Sequence, residues 1–182
     1  MTNPLAATRY GRLNIGLHWL MLLLIAAVYV LMECRGYFPK GSATRDAMKL
    51  WHYMLGLSVL ALVIVRIAAR FASPTPAIVP APPAWQALAA KAMHLALYLF
   101  MLGMPIVGWV LLNAEGHAAP FFGLELPPLV AKDHALAEAA EDLHETIGTI
   151  GYWLVGLHAA AALFHHYVVK DNTLRRMLPG RG

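Results

Sequence analysis

Charge is scarce in this sequence: 13% of its 182 residues are Asp, Glu, Lys or Arg, about half the share of an ordinary soluble domain. The net charge of +4 is too small, and too confined to segment ends, to suit a nucleic-acid ligand. Cysteine is nearly missing as well. Cys34 stands alone, which excludes an internal disulfide framework. A small-residue cleavage site is lacking after the first apolar run, Leu13–Met32, which ends instead at Glu33-Cys34-Arg35. That run is expected to stay as a membrane span and not to be removed as a signal peptide.

Apolar residues fill the room that charge leaves, at 59% of the chain. They gather in Leu13–Met32, Leu50–Val65 (continuing past Arg66 to about Phe71), Ala92–Asn113 and Thr146–Val169. A hydrocarbon core of roughly 30 Å needs about 20 helical residues, so all four stretches qualify as spans. The sequence therefore reads as an all-α membrane protein: one domain, residues 1–182, folded as a four-helix transmembrane bundle. Its spans are expected at about 13–32, 50–71, 92–113 and 144–169. Arg66 is expected to snorkel toward the headgroups, and Pro105 to kink the third helix without ending it. Residues Pro74–Pro83, with five prolines, read as a polyproline-like strap, and residues 114–135 as a longer loop, with helix four starting near 136.

Basic residues orient the bundle. Placing the N-terminus inside puts nine of them on the inner side (Arg9, Arg12, Arg66, Arg70, Lys91, Lys170, Arg175, Arg176 and Arg181) and five outside (Arg35, Lys40, Arg45, Lys49 and Lys132). The excess predicts both termini in the cytoplasm.

Nine histidines are the anomaly in so apolar a chain. An imidazole within a span is costly unless it is hydrogen-bonded or ligates a metal. Depth, counted from the outer end of each span, sorts them. His52 and His144 lie near the outer face. His18, 15 residues below Glu33, and His158, 13 below Glu145, lie together on the inner half. Two stacked pairs point to two bis-histidine haems, one near each side of the membrane. With no CxxCH motif, such haem is held non-covalently as haem b. His144 and His158 are 14 residues apart, close to four turns, so helix four offers one ligand to each site from one face. Gly148 and Gly151 beside His144, and Gly56 beside His52, suggest room for a macrocycle, although small residues also suit helix packing. Counted the same way, His94 and His165 fall at the inner rim, too shallow to share the inner haem. His117 and His134 read as solvated, and His166 as interfacial. Trp19, Trp51, Trp85 and Trp153 suit an aromatic belt or packing.

These features carry a family resemblance. The segments Arg12-Leu13 with Gly16-Leu17-His18-Trp19, Met32-Glu33 to Arg35-Gly36-Tyr37-Phe38-Pro39, Pro74-Thr75-Pro76 and His144-Glu145 lead to a long C-terminal block. That block runs from Gly151 through Gly156-Leu157-His158-Ala159-Ala160-Ala161-Ala162-Leu163 and His165-His166-Tyr167 to Lys170-Asp171-Asn172-Thr173-Leu174-Arg175-Arg176-Met177. Over nearly its whole length the chain resembles the bacterial cytochrome b561 family, and within it the superoxide oxidases. The resemblance implies an inner-membrane enzyme that oxidises superoxide outside and reduces ubiquinone. It implies no obligate soluble partner and leaves a homodimer open. On that reading the basic residues beside the outer haem, Arg35, Lys40, Arg45 and Lys49, steer superoxide, and His165, with His94 at the same counted depth, serves the quinone. The alternative is a di-haem cytochrome b subunit passing electrons between quinone and a separate dehydrogenase or hydrogenase.

Overall fold

Four helices dominate the computed structural model, which describes residues 9–180. Arg181, one of the inner basic residues, lies outside them. Helix α1 spans Arg12–Cys34, α2 Ala43–Phe71, α3 Ala84–Ala114 and α4 His134–Phe164, and each is long and apolar enough to cross a membrane. Helices α1 and α2 pack as one antiparallel hairpin and α3 and α4 as another, with α2 against α3 as the main bridge. The face carrying the α1–α2 and α3–α4 connections is the loop face. The opposite face, where α1 begins and the C-terminal segment lies, is the termini face.

The helices outrun the apolar stretches because caps and propensity set a helix end, whereas hydropathy sets only the span. Ser42 accepts the Arg45 N–H at 3.3 Å and starts α2 seven residues before its apolar run. Asp133 accepts the Leu136 N–H at 3.1 Å and starts α4 at His134. Pro83 precedes a first α3 turn rich in alanine and other good helix formers, so α3 begins at 84 and not at 92. Pro105 sits inside α3 and the helix continues through it.

The loop between α3 and α4 holds a short antiparallel hairpin, β1 (Ala119–Phe121) and β2 (Leu124–Leu126), in the register Ala119↔Leu126. Its two-residue turn, Phe122-Gly123, has positive φ at both positions, as a tight right-twisting hairpin demands. Asn113, buried at the end of α3, donates to the His117 carbonyl and accepts the Leu129 N–H, pinning this loop.

Inside the bundle Met21 and Val63 are fully buried, packed with Val59, Phe100 and Met101. Leu23, Leu99, Leu157 and Trp153 stay exposed, the outward apolar face that a bundle presents to lipid. At the termini face the strap from Pro74 to Pro83 is irregular, as expected, but it is not free. Val79 exchanges hydrogen bonds with Asn172, whose side chain also donates to the Ala77 carbonyl, and buried Arg176 donates to the Pro76 carbonyl. Trp19 donates to the Met177 carbonyl at 2.8 Å. The C-terminal segment thus closes the termini face over the ends of α1, α2 and α3.

Candidate functional site

The bundle brings the four histidines together in two pairs. His18 of α1 faces His158 of α4 with ring centroids 6.2 Å apart and planes at 74°. His52 of α2 faces His144 of α4 at 6.1 Å and 70°. Two imidazoles bound on opposite sides of one metal ion at about 2 Å would have their ring centres about 6 Å apart, so both pairs have the spacing of a bis-histidine site. The donor chemistry agrees at His52. Its Nδ1–H donates to the Val28 carbonyl at 3.2 Å, which leaves the Nε2 lone pair for a metal.

Each pair opens on a cavity. On the loop face a cleft of about 960 Å³ runs between His52, Gly56, Gly108 and His144. On the termini face a pocket of about 520 Å³ holds His18, Arg66, His94 and His158. Gly56 has open space where a side chain would start and borders the cleft, as its place in the sequence suggested. Gly148 and Gly151 do not. Met104 fills the space over Gly148, and Tyr29 and Phe100 that over Gly151, so these two glycines serve helix packing.

Gly108 does what was expected of them. A Cβ there would stand 3.0 Å from Cε1 of His144, so the imidazole lies directly on the α3 backbone. If each pair holds a haem, a Gly108→Val protein is expected to displace His144 and lose the loop-face haem while keeping the other. Haem content and low-temperature absorption spectra check this, and two unperturbed haems would refute it.

The same packing corrects the depth assigned to His94. Gly108 sits level with His144, Met104 with Gly148, and His94 with His158, whose rings are 5.6 Å apart. His94 is therefore no rim residue. Counting inward from Glu115 and Glu145 assumed that these two residues stand at one height, whereas Glu115 lies about two turns further toward the loop face. At 5.6 Å His94 is closer to His158 than the two matched pairs, 6.1 and 6.2 Å, and it stands beside that site as a third imidazole. Its Nδ1–H donates to the Ala90 carbonyl. Arg66 is the second correction. It does not snorkel away, and its Nη2 donates to Nδ1 of His18 at 2.9 Å.

His165 lies elsewhere on the termini face, in a π-helical turn, His165–Val169, that Lys170 ends in the left-handed conformation. Its Nδ1–H donates to Asp171 Oδ2 at 2.6 Å, and its carbonyl accepts the Asp171 N–H. The Asp171 side chain is fully buried, and its other oxygen accepts the Thr173 N–H at 2.8 Å. Burial alone would raise this carboxyl, but the hydrogen bonds from His165 and Thr173 outweigh it and hold the group below the usual carboxylate range. Asp171 was missed in the sequence, where the only hint was a lone acid on the basic side.

On the loop face Arg35 and Lys49 line the cleft, together with Glu115, Glu141 and Glu145. Arg45 does not line it. Its guanidinium donates to the carbonyls of Arg35 and Phe38 and fixes the α1–α2 connection.

Residues 9–180, the whole described chain, match the model of the prokaryotic cytochrome b561 family. The chain belongs to that family. It is similar to cytochrome b561 homolog 1 of Escherichia coli K12, at 43% identity over 95% of this chain and 98% of that protein. A probable superoxide oxidase CybB of Yersinia pestis is 38% identical over 94% and 96%. Cytochrome b562 of Cereibacter sphaeroides is 34% identical over 94% and 96%. Cytochromes b561 of this kind are multi-pass bacterial membrane proteins of transmembrane electron transfer that generally bind haem b, and paired imidazoles between apolar helices suit that chemistry.

Proposed function

We propose that this cytochrome b561 oxidises superoxide on the outer side of the bacterial inner membrane and reduces ubiquinone on the cytoplasmic side. The loop face is then outside and both termini are inside, as the basic residues favour. Haem b bound at each pair, His52–His144 and His18–His158, supplies reversible one-electron chemistry. The observation that carries this reading is the matched spacing of the two pairs on opposite halves of one bundle. Their ligands on α4 are 14 residues, and so about 21 Å, apart along the helix. The relative named a probable superoxide oxidase supports the choice of donor.

The residues around the pairs fit the two half-reactions. Superoxide is an anion, and Arg35 and Lys49 supply positive charge inside a cleft whose other charges, Glu115, Glu141 and Glu145, oppose it. Quinone reduction consumes two protons. His165, its Nδ1–H held by Asp171, takes up a proton at Nε2 from the cytoplasmic boundary and then donates it to a quinone carbonyl. His94 offers a second imidazole beside the inner pair. A homodimer or a monomer without a soluble redox subunit is the form proposed.

Stopped-flow reduction of the purified protein by superoxide, with and without a short-chain ubiquinone, tests this function. Rapid haem reduction followed by quinone-dependent reoxidation supports it, and no reduction by superoxide refutes it. A Lys49→Gln protein is expected to be reduced about threefold more slowly at low ionic strength, with a flatter salt dependence. An unchanged rate and salt slope would remove Lys49 from the approach path. Lys49 is a cleaner probe than Arg45, whose loss also strips two backbone carbonyls of a charged donor.

A further inference from the structure

Arg66 stands in the termini-side half of α2, where a permanently charged guanidinium needs a partner. Among the described residues the hydrogen bond to Nδ1 of His18 is its side-chain partner, and a neutral imidazole is a weak one for a full charge. The pocket that Arg66 shares with His18, His94 and His158 contains no carboxylate. The loop-face cleft differs, since its two cations, Arg35 and Lys49, have three glutamates beside them.

The proton inventory of His18 sharpens the point. Arginine only donates, so its bond at Nδ1 uses the Nδ1 lone pair and puts the imidazole proton on Nε2. A metal at Nε2 needs that lone pair free and the proton on Nδ1. The Arg66 bond and iron at Nε2 of His18 therefore exclude one another. When iron is bound, the guanidinium must find another acceptor, and the protein offers no acid in this pocket.

We propose that Arg66 is the seat of a haem carboxylate: on the reading that His18 and His158 hold haem b, Arg66 leaves Nδ1 of His18 and pairs with a propionate of that haem. The guanidinium that charges the pocket would, in moving to that carboxylate, leave His18 free to hold iron. Guanidinium and carboxylate match in planar, two-pronged geometry, which an ammonium lacks.

The test pairs a change in the chain with a change in the porphyrin. Wild-type, Arg66→Gln and Arg66→Lys full-length chains are loaded with protohaem or with its dimethyl ester, which lacks both carboxylates. Haem affinity and the midpoint potential of each haem are then measured. With protohaem, Arg66→Gln is expected to bind the inner haem about tenfold more weakly and to lower its potential, leaving the other haem unchanged. Arg66→Lys keeps the charge and should retain most of the potential, which guards against a folding defect. With the ester the affinity loss should vanish, and Arg66→Gln should bind it at least as tightly as wild type, because no carboxylate then draws Arg66 away from His18. An equal loss of affinity in Arg66→Gln with both porphyrins, or no loss with protohaem, overturns the proposal. So does a wild-type site that holds the ester as tightly, and at the same potential, as protohaem. Two low-spin haems retained in a His158→Ala protein would instead overturn the haem assignment on which it rests.

Discussion

A His158→Ala protein is expected to bind one haem where the wild type binds two, and the haem that remains should be low-spin and unperturbed. His158 is the common member of the termini-side cluster, 6.2 Å from His18 and 5.6 Å from His94. No rearrangement of those two replaces it on α4, because the next histidine along that face, His165, is seven residues further on and held by Asp171. His144→Ala should give the complementary protein, which keeps the inner haem and loses the outer one. His18→Ala is the informative intermediate. His94 remains beside His158, but its shorter spacing does not match the other pairs, so a weakly held or high-spin haem is expected. Haem-to-protein ratio, low-temperature absorption and electron paramagnetic resonance distinguish these outcomes. Two low-spin haems in His158→Ala would sink the pairing of His18 with His158.

The second large effect is expected at the quinone. A His165→Ala protein should keep both haems and be reduced by superoxide at the wild-type rate, yet reduce ubiquinone about 100-fold more slowly or worse, the usual scale for loss of a positioned proton donor. Asp171→Asn should weaken the same step by about tenfold, because an amide can still accept from Nδ1–H but no longer supports a charged imidazole. The double variant should be little worse than His165→Ala alone, as expected when two residues act as one unit. Additive losses would mean that Asp171 serves only the local fold, through its bonds to the Thr173 N–H and the His165 carbonyl. Wild-type quinone reduction in His165→Ala would place the quinone elsewhere, with His94 the next residue to test.

The sequence made the spans and the paired imidazoles legible because both depend on quantities that run along one helix. An apolar run reports a span, and a 14-residue spacing reports a shared face. What it hid depends on how helices are staggered. His94 was misplaced because Glu115 and Glu145, the two residues it was counted from, are not level, an offset that no single-helix count reveals. Gly108 lies three residues past Pro105, and no local pattern shows that it lets His144 rest on the α3 backbone. Arg66 read as a snorkelling residue, since nothing local shows that α1 puts His18 within 2.9 Å of it. Asp171 had only its odd sign. The register of the C-terminal segment against the strap, fixed by Asn172 and Arg176, lies beyond any periodicity.

The division of the bundle into two helix hairpins has a further consequence. Each histidine pair draws one ligand from the α1–α2 hairpin and one from α4, and α1 meets α4 through reaching side chains: Tyr29 donates to the Gly148 carbonyl and Tyr152 to Glu33. A metal centre ligated from both hairpins is a rivet between them. The folded bundle would then be favoured by mass action, its melting temperature rising with free haem by an increment that grows as RT ln(1 + [haem]/Kd) at each site. Cells short of haem would accumulate hairpins that are inserted but poorly joined, an easier target for membrane proteases than the riveted protein. For this chain, supply of the cofactor would then control abundance as well as activity.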